Sequence, residues 1–243
     1  MDFKNTTIRS FPATRWSLIA EVADQDPVKK AKALEELCRV YWPPVYAFIR
    51  SKGANQAEAE DLTQGFFLSF LARDDFSKAS RECGKLRTYM LRSVQNFMNN
   101  DWRSRQCLKR GGGVEVLSID IEYEDGHGKF IEPTEKDTPE SIFDRQWAIT
   151  ILHNVLEALE QRYEAKGQGS LFQSLRHVIS TGETGATYAE VAKSEGMTEN
   201  AVKVAAHRLR NRYATLLRKT VSDTLLEGGG TGKELEELMA AFE

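Results

Sequence analysis

Cysteine and histidine are scarce in this chain: three and four among 243 residues. Cys38, Cys83 and Cys107 lie far apart, form no C-x-x-C pair, and have none of the histidines beside them. That excludes a disulfide framework and a zinc site of the usual ligand spacing. No apolar run approaches the ~18 residues of a membrane span. The first residues, 1–6, have no apolar core and do not read as a signal peptide, so a cytoplasmic protein is expected. A phosphate-cradling glycine loop followed by lysine is also missing, as is any nucleophile motif. The glycine triplets at 111–113 and 228–230 therefore read as hinges. The expectation is a protein that is no enzyme, has no catalytic residues and needs no cofactor.

Net charge is low as well, at −3, which on its face disfavours a nucleic-acid partner. The distribution says otherwise. Residues 85–110 carry seven basic side chains against one acid, and residues 114–144 ten acids against two lysines. Residues 203–219 carry six basic side chains and no acid, and residues 222–243 six acids against one lysine. Alternating blocks of opposite sign indicate modules. Two separate basic faces suit a protein that grips a polyanion at two points.

The apolar periodicity is helical almost throughout, so the expected fold class is all-α. Ala31, Leu34, Leu37, Cys38, Tyr41, Val45, Phe48 and Ile49 recur at steps of three and four. Pro43-Pro44 marks a kink or break within that segment, and Gly53 ends it. A second helix is expected at 56–72, a loop at 73–85 and a third helix at 86–105. The acidic stretch 111–137 reads as a linker. Thr138-Pro139-Glu140 looks like a capped helix start, with the helix running to about Tyr163. A shorter helix should cover about 170–180, a pair 187–195 and 198–218, and a short amphipathic helix 233–242. The expected organisation is a helical domain at 1–110, the acidic linker at 111–137, a second helical domain at 138–221 and a C-terminal extension at 222–243.

The pair at 187–213 carries the clearest motif. Thr187 with Glu190 three residues later is a capping box. Gly196 stops the first helix, and Thr198 can cap the next after a very short turn, which is the helix-turn-helix layout. At ~100° per residue, Val202, Ala205, Ala206, Leu209 and Tyr213 fall on one side of the second helix. Asn200, Lys203, Val204, His207, Arg208 and Asn211 fall on the other, free to enter a major groove. Asn and Lys suit base edges, while Arg208, Arg210 and Arg212 suit phosphates.

The front half offers a second candidate surface. Tyr89, Arg92, Asn96, Asn99 and Arg103 form a stripe, and the aromatics Tyr89, Phe97 and Trp102 sit among basic residues. That mixture suits unstacked single-stranded bases, which stack on rings while cations follow the backbone. Periodicity alone leaves an equal alternative, in which the rings belong to the core and the polar residues to a solvated face.

Several segments resemble the extracytoplasmic-function group of the sigma-70 family, the two-domain sigma factors. Glu60-Asp61-Leu62-Thr63-Gln64-Gly65-Phe66-Phe67 resembles the segment that docks on the clamp helices of core RNA polymerase. Leu86-Arg87-Thr88-Tyr89-Met90-Leu91-Arg92-Ser93-Val94-Gln95-Asn96 resembles the segment that melts and reads the −10 element. Tyr188-Ala189-Glu190-Val191-Ala192, Met197-Thr198-Glu199-Asn200-Ala201-Val202-Lys203 and His207-Arg208-Leu209-Arg210 are similar to the −35-reading motif. Phe11-Pro12-Ala13-Thr14-Arg15-Trp16-Ser17-Leu18 and Tyr41-Trp42-Pro43-Pro44-Val45-Tyr46-Ala47-Phe48 resemble a subgroup from environmental bacteria with large genomes.

The resemblance implies a region 2 bundle at 1–110 and a region 4 helix-turn-helix domain at 138–221. It implies that Asp61, Gln64 and Phe67 contact the polymerase. It assigns the −10 element to Tyr89, Arg92, Asn96, Asn99, Arg103 and Arg105, with Asn96 at the flipped base. It assigns the −35 element to Thr198, Asn200, Lys203, Val204, His207, Arg208 and Arg210. Implied partners are core RNA polymerase, promoter DNA and an anti-sigma factor or other regulator. One departure is Gly65, where the clamp motif commonly has Glu. Two further readings stay open on the sequence: a helix-turn-helix regulator without a sigma role, and an all-helical protein-interaction adaptor. The C-terminal helix, with Leu235, Leu238, Met239 and Phe242 on one face, is expected to dock on the second domain or to bind a regulator.

Overall fold

A computed structural model of the chain describes residues 26–72, 85–108, 137–180, 187–225 and 230–242, with the backbone alone for 71, 102–108 and 180. The opening motif at 11–18, the loop 73–84 and the linker segment 109–136 lie outside the described residues. Everything described is helix or short connection, with no strand among the described residues. The helices are α1 (Pro27–Ser51), α2 (Gln56–Ala72), α3 (Leu86–Leu108), α4 (Pro139–Glu164), α5 (Gly169–Leu175), α6 (His177–Ser180), α7 (Tyr188–Glu195), α8 (Glu199–Asp223) and α9 (Thr231–Ala240).

Most starts and stops follow local chemistry. Asp26 caps α1, its carboxylate accepting from the Val28 amide at 2.9 Å, with Pro27 in the first position. That Asp-Pro pair is a start signal the apolar periodicity passes over, and α1 begins four residues before its first periodic residue. Thr138 caps α4 by accepting from the Ser141 amide at 3.1 Å. Gly53 ends the turn after α1 at φ 93°, and Gly167 the turn after α4 at φ 67°. The expected helix at 170–180 is two, interrupted at Arg176.

The proline pair does not break α1. Pro43 and Pro44 lie inside the helix and are buried there. Each lacks the amide that would bond four residues back, a loss of ~3 kcal/mol or more in a helix interior. Burial of Leu37, Tyr41, Trp42, Val45 and Phe48 on both sides of the pair holds the helix together across it.

Contacts divide the described residues into two compact units. Ile151–Thr220 make one, and the described residues before Ile151 make the other together with those from Val221 onward. In the latter unit, α2 and α3 join α1 around an aromatic centre. Phe67 stacks on Trp42 at 5.6 Å between ring centres and 10° between planes, and Phe66 meets Phe67, Phe70 and Phe97 at 5.2 to 5.7 Å. Offset and edge-on rings at such separations add to the gain from burial.

The first half of α4 and all of α9 belong to this unit rather than to the one that holds α7 and α8. The tail helix therefore docks on the front domain, not the second, and the division falls at 150/151 and 220/221 instead of the expected 138 and 222. The reason is a charge cluster centred on Arg87, which is 7% exposed. Its guanidinium lies 5.0 Å from the Trp147 ring centre, 3.0 Å from Asp144, and 3.0 and 3.4 Å from Glu237 and Glu234. Lys85 reaches both glutamates at 2.5 Å. Leu238 is fully buried, and Arg145 Nε donates to the Ala241 carbonyl at 3.1 Å. The Lys85 ammonium, with Arg87 and Lys233 adding to it, holds the Glu237 carboxyl below its ordinary range. Burial raises Asp144 in spite of Arg87.

The other unit has its own core. Leu159 and Tyr163 of α4, Leu171, Phe172 and Leu175 of α5, Val191 and Ala192 of α7, and Val202, Ala206 and Leu209 of α8 form one buried cluster. The turn between α7 and α8 depends on Gly196, held left-handed at φ 64° with its amide donating to the Ala192 carbonyl. A Cβ there would meet nothing within 4 Å, so any penalty is backbone strain alone. Gly196→Ala should lower the stability of the chain by about 1–2 kcal/mol, and Gly196→Asn by less, measured by urea denaturation. Equal stability of all three proteins would show that the turn does not require this conformation.

Candidate polymerase and nucleic-acid interfaces

Three surfaces hold the residues singled out from the sequence. The first is on α2. Asp61 is exposed, Gln64 half-buried and Phe67 only 3% exposed. Steps of three residues drift by about −60° each on a helix of ~100° per residue. The row consequently turns inward, and Phe67 ends in the aromatic centre against Trp42. Phe67 thus supports the surface from beneath and is not itself displayed, which corrects its expected contact role. Gly65 faces α3: a Cβ at that position would stand 3.6 Å from the tip of the Phe97 ring, an ordinary contact that does not itself require glycine.

The second surface is on α3. Arg92, Asn96 and Asn99 are exposed along one face, and Tyr89 is half-buried with its ring 6.0 Å from Phe70. The opposite side carries Leu86, Met90 and Val94, all fully buried. Phe97 turns edge-on to Phe66 in the core, so of the interleaved aromatics it is structural. The side chains of Trp102, Arg103 and Arg105 lie outside the described residues. What remains displayed is a row of two amides and a guanidinium beside one partly open ring.

The third surface is on α7 and α8, the pair expected from the sequence to form a helix-turn-helix. Thr187 Oγ1 accepts from the Glu190 amide at 3.3 Å, and Glu190 accepts from the Thr187 amide at 2.8 Å, completing the capping box. The Thr187 amide, together with the Thr187 hydroxyl donating to the same carboxylate at 2.8 Å, holds the Glu190 carboxyl below its ordinary range. Thr198 Oγ1 accepts from the Ala201 amide at 3.3 Å and so starts α8. Val202, Ala206 and Leu209 face the core, as the helical angles require. Asn200, Lys203, Val204, His207 and Arg208 face outward, and Val204 is 40% exposed in a helix where its apolar neighbours are covered. Lys203 pairs with Glu199 at 2.7 Å, and its ammonium stands 5.9 Å from the Tyr188 ring centre. His207 Nε2 lies 3.0 Å from the Asn211 side-chain nitrogen.

Two arginines expected at phosphates are turned to internal tasks. Arg210 Nε donates to the Val178 carbonyl at 3.1 Å, bracing α8 to α6. Arg212 donates to the Tyr163 hydroxyl at 2.9 Å with its guanidinium 5.5 Å from that ring's centre. A basic cleft of about 450 Å³ opens beside Arg212, where Arg162 and Lys166 of α4 meet Lys219 of α8 over Leu159 and Leu216. No carboxylate lines it. The sequence hides this cleft because Lys166 and Lys219 stand more than fifty residues apart, and only folding brings them together.

Among the described residues no helix is long and apolar enough to cross a membrane. No curated protein and no solved structure shows a significant match to the chain. Residues 37–107 match the family model of Sigma-70 region 2. The matched stretch takes in α1 from Leu37, the whole of α2 and α3 as far as Cys107, and with them the first two surfaces. Residues 37–107 are thus a sigma-70 region 2 domain, a non-enzymatic module that implies core RNA polymerase binding and a sigma-factor role in transcription initiation.

Proposed function

We propose that the chain is a sigma factor of the extracytoplasmic-function type, contacting its promoter at two points. In this reading α2 docks on core polymerase through Asp61 and Gln64, with Phe67 stiffening the helix from behind. The α3 row of Tyr89, Arg92, Asn96 and Asn99 captures the −10 strand, with Asn96 holding a flipped base and Arg103 and Arg105 following the backbone. Helix α8 enters the major groove at −35, presenting Asn200, Lys203, Val204 and His207 to base edges. Thr198, at its start, and Arg208 take phosphates. Arg210 keeps the recognition helix in place.

The observation that carries the reading is the coexistence of two displayed polar surfaces. One lies inside the region 2 match, and the other is a capped helix-turn-helix further along the chain. A helix-turn-helix regulator needs only the second. Duplex opening draws on binding energy, so this chain needs no reactive group for it.

In vitro transcription tests the whole reading. Purified protein with core polymerase should initiate at discrete sites on a genomic fragment library, and complete absence of promoter-dependent transcripts would overturn the assignment. Polymerase binding tests the docking surface separately. Asp61→Ala with Gln64→Ala should weaken capture of core polymerase by roughly tenfold, the loss of about 1.4 kcal/mol, while leaving duplex binding intact. Salt dependence tests the recognition helix. Arg208→Ala should lower the slope of log affinity against log salt for duplex DNA by about one. Lys203→Ala should reduce discrimination between sites, and an unchanged slope together with unchanged discrimination would remove α8 from the interface.

A further inference from the structure

The tail helix and the start of α3 meet through opposite charges that neither could balance alone. Helix α3 opens with Lys85 immediately before it and Arg87 within its first turn, and that turn holds no acidic residue. Cations are disfavoured at a helix N-terminus, where the unpaired amides already carry partial positive charge. The missing negative charge comes from about 150 residues away. Glu234 and Glu237 stand one turn apart on α9, and both reach Lys85 at 2.5 Å and Arg87 at 3.0 to 3.4 Å. Glu234 is 1% exposed and Leu238 fully buried, so α9 is seated on this unit rather than resting on its surface. Asp144 is the other carboxylate at Arg87, 3.0 Å away.

We propose that α9 is a positioning strap for the strand-capturing helix: Glu234 and Glu237 supply the anionic charge that the first turn of α3 lacks and so fix where its exposed row begins. Two features favour positioning over obstruction. Arg87 lies on the side of α3 that faces the core, about 150° around the helix from the centre of the exposed row. Arg92, Asn96 and Asn99 stay exposed with the strap in place. The strap therefore leaves the row open while holding the helix that carries it. Tyr89, the first member of the row, follows Arg87 by two residues, and its amide makes the first helical bond, to the Lys85 carbonyl at 3.1 Å. Glu234 and Glu237 are thus positioning residues acting through Lys85 and Arg87. The link to strand capture rests on the −10 reading of α3.

The test uses the full chain with Glu234→Gln and Glu237→Gln together, which keeps size and removes charge. Hydrogen exchange of the amides of residues 89–92 should accelerate by about three- to thirtyfold, the effect of two charge–helix interactions. Exchange in residues 202–209 should not change. Affinity for a random-sequence single-stranded oligonucleotide should fall severalfold, and affinity for a random-sequence duplex should hold. Adding Thr88→Glu puts an acid into the first turn of α3 itself and should restore both exchange and single-strand binding. A strap that merely packed would not be replaced in this way. Unchanged exchange at 89–92, or no rescue by Thr88→Glu, overturns the proposal. If the double variant does not fold, Glu237→Gln alone, at the more exposed carboxylate, should give the same pattern at smaller amplitude, and its absence likewise overturns the proposal. Asn96→Ala is the control for the underlying reading. Where Asn96→Ala weakens single-strand binding and the strap variant does not, strand capture stands and the strap's role in it falls. Where Asn96→Ala also has no effect, the −10 reading itself fails and takes the coupling with it.

Discussion

The front unit depends on one buried cation. Arg87 must find partners because a guanidinium with so little exposure, if left uncompensated, costs on the order of 3–5 kcal/mol. It finds an indole face on α4, a carboxylate on α4 and two carboxylates on α9. Three helices that come from widely separated parts of the chain are thereby joined at one atom group. The apolar contacts around it would accept several arrangements of α4 and α9. The charges accept far fewer, since each must end beside an opposite one.

This requirement also explains why the units do not coincide with the blocks read along the chain. The acidic stretch before Thr138 and the glycines at 228–230 look like boundaries, and residues on both sides of them look like members of different modules. Yet Asp144, Arg145 and Trp147 at the start of α4, and Glu234 and Leu238 in the tail, are drawn to the front unit by Arg87 and by the core beside it. The helix-turn-helix unit needs none of them. Its core closes with α5, α6, α7 and the facing halves of α4 and α8.

Two kinds of surface follow from these cores. On α3 and α8 the buried face is apolar and the outward face carries amides and cations, so each helix is fixed from behind and displayed in front. On α2 the same geometry works against part of the expected docking row, because steps of three residues turn it from Asp61 at the surface to Phe67 in the aromatic centre. Arg210 and Arg212 are similarly withdrawn, spent on a carbonyl and on a tyrosine hydroxyl within their own unit. A basic side chain on a helix with an exposed polar face is therefore not always free to meet a partner; its reach decides.

Local chemistry determined a great deal here. Helix class, the capping box at Thr187, the caps at Thr138 and Thr198, the turn glycines at 53, 167 and 196, and the inward residues of α8 all rest on interactions within a few positions. Such interactions are legible in a sequence because spacing alone specifies them. The tertiary structure decided what depends on distant partners. It kept α1 continuous through Pro43 and Pro44 by burying them, sent Phe67 into the core and Phe97 edge-on against it, gathered the basic cleft from α4 and α8, and brought the tail onto Arg87. Nothing in the spacing of Glu234 and Glu237 names Lys85 and Arg87 as their partners. That pairing is a matter of which charges folding leaves buried together.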